Sequence, residues 1–403
     1  MKTLVTSGCC LTLVAALTAT MAQAGPGEDT AKALNDRYAK TPSDCGARSK
    51  PAFLCSGVII RATATPKFWV PQEKNISSGA ISASYLRKDA KFKSLVYGRN
   101  SGLILFPVFE NPRNKSYEVL CAYPNDGGTD NRKDRGCTDH VQTPAVESNC
   151  DVIGVYTGQE WIKRYPADKV KYSEICSFDV RDRRDAHAAP AFMAMIEARN
   201  LGGETLFPVQ NELRIATWGD EPPNNPPVES LFYTVPPSST ESGLENGRVN
   251  QIEWWNASKR FLPLVKLDLP ATINADARFS YNPADQVIQP TTGPNKCDKY
   301  FDSARFVDLP GSPGKKSLVV VPSACGREVR DDQTNNFFNE LAARYYRDPA
   351  WQGASGSYPQ NILSMRRQLT CSFIKLRYAP EWTLEPHRAL IGIEESIARQ
   401  CDN

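Results

Sequence analysis

A chain of 403 residues with 41% hydrophobic and 23% charged residues has the balance of a globular protein and is long enough for two domains, each with its own core. Its formal net charge of +3 excludes an argument from charge alone for a nucleic-acid or other polyanion partner. Thirty prolines favour short strands and long loops over a helical bundle.

The N-terminus, residues 1–24, reads as an export signal. Lys2 supplies the positive end, Leu11–Ala16 the apolar centre and Ala22-Gln23-Ala24 a small-residue cleavage site, with the cut after Ala24. The apolar run is too short and too rich in Thr and Ala for a membrane anchor, and no later stretch approaches spanning length. Cys9 and Cys10 leave with the signal. Ten cysteines remain: Cys45, Cys55, Cys121, Cys137, Cys150 and Cys176 in one group, Cys297, Cys325, Cys371 and Cys401 in another. In a secreted or periplasmic chain they read as disulfides, with Cys45–Cys55 closing a small N-terminal loop. A zinc site is the weaker alternative, because no C-x-x-C exists and the histidines are His140, His187 and His387.

In chain order, residues 29–40 read as a short helix capped by Asp29 or Thr30 and stopped by Pro42 and Gly46. Cys55–Thr63 is the first strand, Thr65–Ser78 a loop holding Trp69, and Ala80–Arg87 the second strand. Trp69 either stacks on a ligand's base or covers the core, the second being the commoner use. Leu103–Phe109 and Tyr117–Tyr123 read as a hairpin across Asn111-Pro112-Arg113-Asn114. Residues 124–150 form a polar, glycine-rich surface excursion. Thr157–Tyr165 is a helix opened by a Thr157/Glu160 capping box, and Arg181–Asp185 a solvated run of charges. Ala189–Asn200 is a helix ended by Gly202-Gly203. Val228–Val235 is a strand, residues 236–250 a loop or flap, and Phe261–Leu267 a strand preceded by Glu253-Trp254-Trp255.

The proline-rich run Pro283–Pro294 lies between the two cysteine groups and reads as a linker. The division is then a β-rich domain over 25–285, a linker over 286–296 and a small α+β domain over 297–403, an α+β protein throughout. In the last domain Ser317–Val321 and Gln368–Leu376 read as strands, Asn335–Arg347 and Glu394–Gln400 as helices.

One constellation carries chemistry. Arg61 ends the first strand, Ser82 and Ser84 punctuate the second, and Gln210-Asn211-Glu212 lies far downstream. A guanidinium forks onto phosphate oxygens while a hydroxyl fixes a sugar. Cleaving the ribosyl bond of NAD needs those two functions and one carboxylate to steady an oxocarbenium-like transition state; it needs neither metal nor histidine. Glu118 is the backup carboxylate. Against a serine hydrolase, there is no G-x-S-x-G elbow.

Gly79-Ala80-Ile81-Ser82-Ala83-Ser84 resembles the serine motif of cholera-toxin-type ADP-ribosyltransferases, Arg61-Ala62-Thr63 their first-strand arginine, and Gln210-x-Glu212 their third motif. The resemblance implies a split-sheet fold in which Arg61 binds NAD, Ser82 orients the nicotinamide ribose, Glu212 stabilises the cation and Gln210 faces an acceptor. The pattern departs from that family in its short Arg61-to-Ser82 spacing and in Ala83 at the middle hydroxyl. Leu34–Tyr38, Pro51–Val58, Ser84–Arg87 and Asn211–Trp218 resemble the halovibrin family of secreted bacterial proteins, which implies ADP-ribosyltransferase or NAD-glycohydrolase activity; shared fold accounts for these segments equally well. Residues 297–403, with Trp382-Thr383-Leu384-Glu385-Pro386-His387-Arg388, resemble a secreted bacterial family of unknown function. The expectation is a secreted, monomeric NAD-consuming toxin or effector, with NAD as substrate, no metal and a host protein as possible acceptor. The alternative is an exported, disulfide-stapled binding protein without turnover.

Overall fold

The computed structural model describes residues 26–40, 52–63, 80–106, 118–129, 150–167, 169, 176–180, 188–216, 228–235, 243–272, 274–352 and 358–401. The export signal, Cys45, Trp69, the Asn111–Asn114 turn, Cys137 and the Arg181–Asp185 run lie outside them. Among the described residues the strands are β1 (Val58–Ala62), β2 (Ala80–Leu86), β3 (Ser101–Leu105), β4 (Glu118–Tyr123), β5 (Phe178–Asp179), β6 (Glu212–Ala216), β7 (Val228–Tyr233), β8 (Leu264–Asp268), β9 (Arg278–Tyr281), β10 (Phe301–Asp308), β11 (Lys316–Pro322) and β12 (Trp382–Leu384). The longer helices are α1 (Pro26–Ala39), α2 (Gly158–Arg164), α3 (Ala188–Leu206), α4 (Leu244–Ser258), α5 (Thr334–Tyr345), α6 (Tyr358–Lys375) and α7 (Ile393–Ala398).

Nine of these strands form one sheet, in the order β5-β4-β6-β2-β1-β3-β7-β8-β9, and three form a second, β10-β11-β12. Alternation assigns the large sheet's two faces. Ile59, Ile81, Leu103, Leu213, Ile215 and Leu231 point to one face, where α2 and α3 bring Trp161, Phe192 and Met195. Val58, Ile60, Ile104, Phe232 and Val265 point to the other, under Ala31, Leu34 and Tyr38 of α1. Gly57 leads into β1 at φ +73°, and a Cβ there would stand 2.3 Å from the Tyr85 ring, so glycine alone fits.

Several elements differ from the sequence reading. β3 and β4 make no hairpin: β3 pairs with β1 and β7, and β4 with β6 and β5. Every residue of β3 is buried, so the strand belongs in the sheet interior and not beside its chain neighbour. Residues 244–250, read as a flap, open α4. Its buried positions include Arg248, Asn250 and Gln251 beside Ile252 and Trp255, a polar mixture that hides the helical stripe. Gln368–Leu376, read as a strand, is the end of α6. Ile362, Met365, Leu369 and Phe373 repeat every three or four residues and fill the C-terminal core. The predicted capping box of α2 is present: Glu160 N donates to Thr157 Oγ1 at 3.1 Å and Thr157 N to Glu160 Oε2 at 3.1 Å.

Three disulfides staple the described residues, Cys150–Cys176, Cys297–Cys325 and Cys371–Cys401, and Cys55 and Cys121 are disulfide-bonded as well. No helix among the described residues is long and apolar enough to cross a membrane.

Candidate active site

The large sheet changes partners at β2. The Ser84–Leu86 half of β2 pairs with β1, and the Ala80–Ala83 half pairs with β6. Beyond Ala83 the β6 chain no longer offers a backbone ladder, and the Asn211 side chain stands in for one. Tyr85 N donates to Asn211 Oδ1 at 2.7 Å, and Asn211 Nδ2 donates back to Tyr85 O at 2.7 Å. Glu212 begins β6 at this split, fully buried.

A buried carboxylate must be satisfied, and three groups from the turn after β4 attend to Glu212. Gly127 N donates to Oε2 at 2.7 Å, and the Thr129 hydroxyl donates to Oε1. Asp126 lies against it, its carboxyl within hydrogen-bonding reach of the Glu212 side chain. Burial first, and then the charge of Glu212, push the Asp126 carboxyl up to about 7, while Arg99 pulls the other way. Arg99 is held by the Ala62 carbonyl at 2.7 Å and lies over the Tyr97 ring at 5.3 Å. Asp126 therefore exchanges its proton near neutrality.

The predicted residues divide between the sheet faces. Ser82 pairs with Arg214, and continuing that register sets Ser84 beside Glu212, so these side chains share a face opposite Ile81 and Leu213. Ser84 is buried and its hydroxyl has no hydrogen-bond partner. Arg61 is not on that face. It pairs with Leu103 and shares parity with Ile59, on the side covered by α3, and its guanidinium donates to the backbone carbonyl of Ser82. A strand's period of two separates Arg61 from the other three whatever their spacing in the chain. Gln210 is 5% exposed, so its amide is not presented to an outside acceptor. Glu118 starts β4 opposite Ala216, at the other end of the strand pair from Glu212. Trp69 lies outside the described residues.

Asp126, Gly127 and Thr129 were missed, because residues 124–150 read as a solvated excursion. The available signal was the acid-glycine sequence Asp126-Gly127-Gly128 directly after a strand, a tight turn that returns a carboxyl to the sheet end. Among the described residues no group of three His, Cys, Asp or Glu side chains could hold a metal ion.

The segments of the family resemblance also hold the fold together. Asn35 grips the edge strand β9, accepting from Phe279 N at 2.9 Å and donating to Phe279 O at 2.8 Å, while Arg37 pairs with Glu229. Arg87 is buried, forks onto Asp89 at 2.5 and 2.6 Å and donates to Ser56 Oγ at 2.9 Å. In the C-terminal domain Trp382 Nε1 donates to Leu376 O at 2.8 Å. Glu385 ties together Arg388, Ser317 and, through its amide, Gln368. Burial lowers the pKa of His387, which stands 3.4 Å from Glu385. This is a locked turn more than an open site.

A family model described as a protein of unknown function (DUF2599) matches residues 303–403, which hold that turn and most of the second core. Comparisons with curated proteins and with solved structures gave no match.

Proposed function

We propose that this chain is an exported enzyme that cleaves the bond between nicotinamide and ribose in NAD, as a glycohydrolase or as an ADP-ribosyltransferase delivering the sugar to a host protein. One observation carries the reading: two carboxyls, Asp126 and Glu212, meet at the split of the sheet, and Asp126 exchanges its proton near pH 7. As nicotinamide departs, the ribose ring gains positive charge, and a fixed carboxylate lowers that barrier. Glu212 has this role, its orientation set by Gly127 and Thr129. Asp126 is the proton acceptor for an attacking water or acceptor hydroxyl, since a base titrating near the working pH transfers protons best. Ser84, level with Glu212 and with an unengaged hydroxyl, meets the ribose, and Ser82 lies further along the same face. Arg61, on the other face, steadies the Ser82 backbone. The likeness of the Ser82 and Glu212 segments to ADP-ribosyltransferase motifs supports the same chemistry.

A second reading draws on the burial of Glu212. A carboxylate with 0% exposure and both oxygens engaged also serves as a clamp that closes the turn at 124–129, as in a binding protein without turnover. Incubating the secreted chain with NAD and following nicotinamide release separates the two. We expect release by the wild type, its loss in Glu212→Ala and a fall in Asp126→Asn. A wild type that leaves NAD intact, with Glu212→Ala merely less stable, rejects the enzyme and leaves the clamp.

A further inference from the structure

A cleft between the segment after β2 and the end of α3 has chemistry opposite to that of the carboxyl pair. Its walls carry Lys88, Lys91 and Lys93 from the segment after β2, Arg199 from α3 and Thr272 after β8, and no carboxylate is among its lining residues. Phe92 and Phe207 give it an apolar floor. Gly203 opens one wall: at φ +58° it breaks the helical run of α3, and a Cβ there would meet nothing within 4 Å.

Arg199 makes the cleft more than a collection of lysines. It is 4% exposed and donates to carbonyl oxygens, those of Pro124, Lys91 at 2.8 Å and Val209 at 3.1 Å. Neutral carbonyls satisfy hydrogens without cancelling charge, and burial lowers the guanidinium pKa to about 9. Its Nε is buried without a hydrogen-bond partner. Lys88 and Lys91 share one carboxylate, Asp276, at 3.9 and 2.9 Å, and it stands outside the cleft lining. Lys91 also donates to the Ala275 carbonyl at 2.8 Å, yet a cleft whose charged lining groups are all cations draws a multiply charged anion more strongly than a single carboxylate.

We propose that this cleft binds the phosphate groups of a small-molecule ligand. The lysines supply point charges to the phosphate oxygens, while Asn200 and Thr272 supply neutral hydrogen bonds at the rim. The inference does not depend on the sugar chemistry assigned to Glu212.

Calorimetric titration of the full secreted chain with inorganic pyrophosphate, and separately with ADP, at low ionic strength tests it. Lys88 has a side chain 62% exposed, so Lys88→Glu keeps the fold. We expect both probes to bind, weakening about tenfold in Lys88→Glu and again in raised salt, as close charge pairs near a surface do. Lys375→Glu, an exposed charge change on α6, should leave binding as in the wild type. Tighter binding of ADP than of pyrophosphate assigns the phosphates to a nucleotide; equal binding assigns the site to phosphate alone. Absence of binding by either probe, or equal weakening in Lys88→Glu and Lys375→Glu, overturns the proposal.

Discussion

At the scale of single residues, the contact of Asp126 with Glu212 has a consequence for stability that needs no substrate. A carboxyl ordinarily titrating at 3.8 and raised to about 7 in the fold holds its proton more tightly folded than unfolded. Its contribution is therefore complete below about pH 4 and is lost as pH rises through about 7. Asp126→Asn keeps the shape and a donor while removing the titration. We expect thermal midpoints of the wild type to fall between pH 5 and pH 8 relative to those of Asp126→Asn, and parallel curves across that range would show that the Asp126 carboxyl is not raised in the fold. The same pair explains how far the site was legible. Glu212 stood out because it follows Gln210 in a recognisable motif. Asp126 did not, since it reaches Glu212 through the register that sets Tyr123 against Glu212, and no local pattern records pairing across so many residues.

At the scale of elements, the split of the sheet at β2 depends on one amide. Without Asn211, both backbone groups of Tyr85 that face β6 would lie buried and unpaired. Leaving a buried donor and acceptor unmade costs on the order of 1–3 kcal/mol each. Asn211→Ala should therefore lower unfolding stability by about 2–4 kcal/mol in urea melts. A loss below about 0.5 kcal/mol, the range of neutral surface changes, would mean the split is held by something else. Such a device is invisible beforehand, because an asparagine next to a strand reads as a turn residue. By contrast α2 announced itself, since Thr157 and Glu160 satisfy each other's neighbouring amides within one turn. β1 and β2 were legible for a similar reason, being short apolar runs whose pairing partners matter little to their extended shape. α4 was not, because the groups it buries are polar. Arg248 donates to the Asp285 and Ala284 carbonyls at 3.0 and 3.1 Å, and Gln251 accepts from Val287 N and Ile288 N, both at 2.9 Å. Side chains that are satisfied by a distant segment carry no hydrophobic signature in their own.

At the scale of the whole molecule, α4 belongs to two cores at once. Trp254 packs into the core of the large sheet, while Ile252 and Trp255 pack with Phe337, Leu341 and Trp382 in the C-terminal core. Successive helical positions turn by roughly 100°, so neighbouring tryptophans can serve opposite neighbours. The proline-rich run that reads as a linker joins this seam: Val287 and Ile288 are fully buried, and Asn339 brackets Gln289 with bonds of 2.8 and 3.0 Å. Ion pairs Lys259–Glu340 at 2.8 Å and Arg347–Glu253 at 3.1 Å lie along the same junction, but pairs this exposed contribute little beside the apolar contacts. The seam thus ties the part matched to the family of unknown function to the sheet that carries Glu212. A separable C-terminal domain would be indifferent to changes in α4. Here Trp255→Ala should cost about 3–5 kcal/mol, as truncating a buried tryptophan does, and the loss should be felt in α5. Hydrogen exchange checks it directly: the amides of Phe337 and Leu341 should lose protection in step with those of β7 and β8. If protection falls in only one of the two, in α5 alone or in β7 and β8 alone, the two cores unfold independently and the seam is only a contact between finished domains.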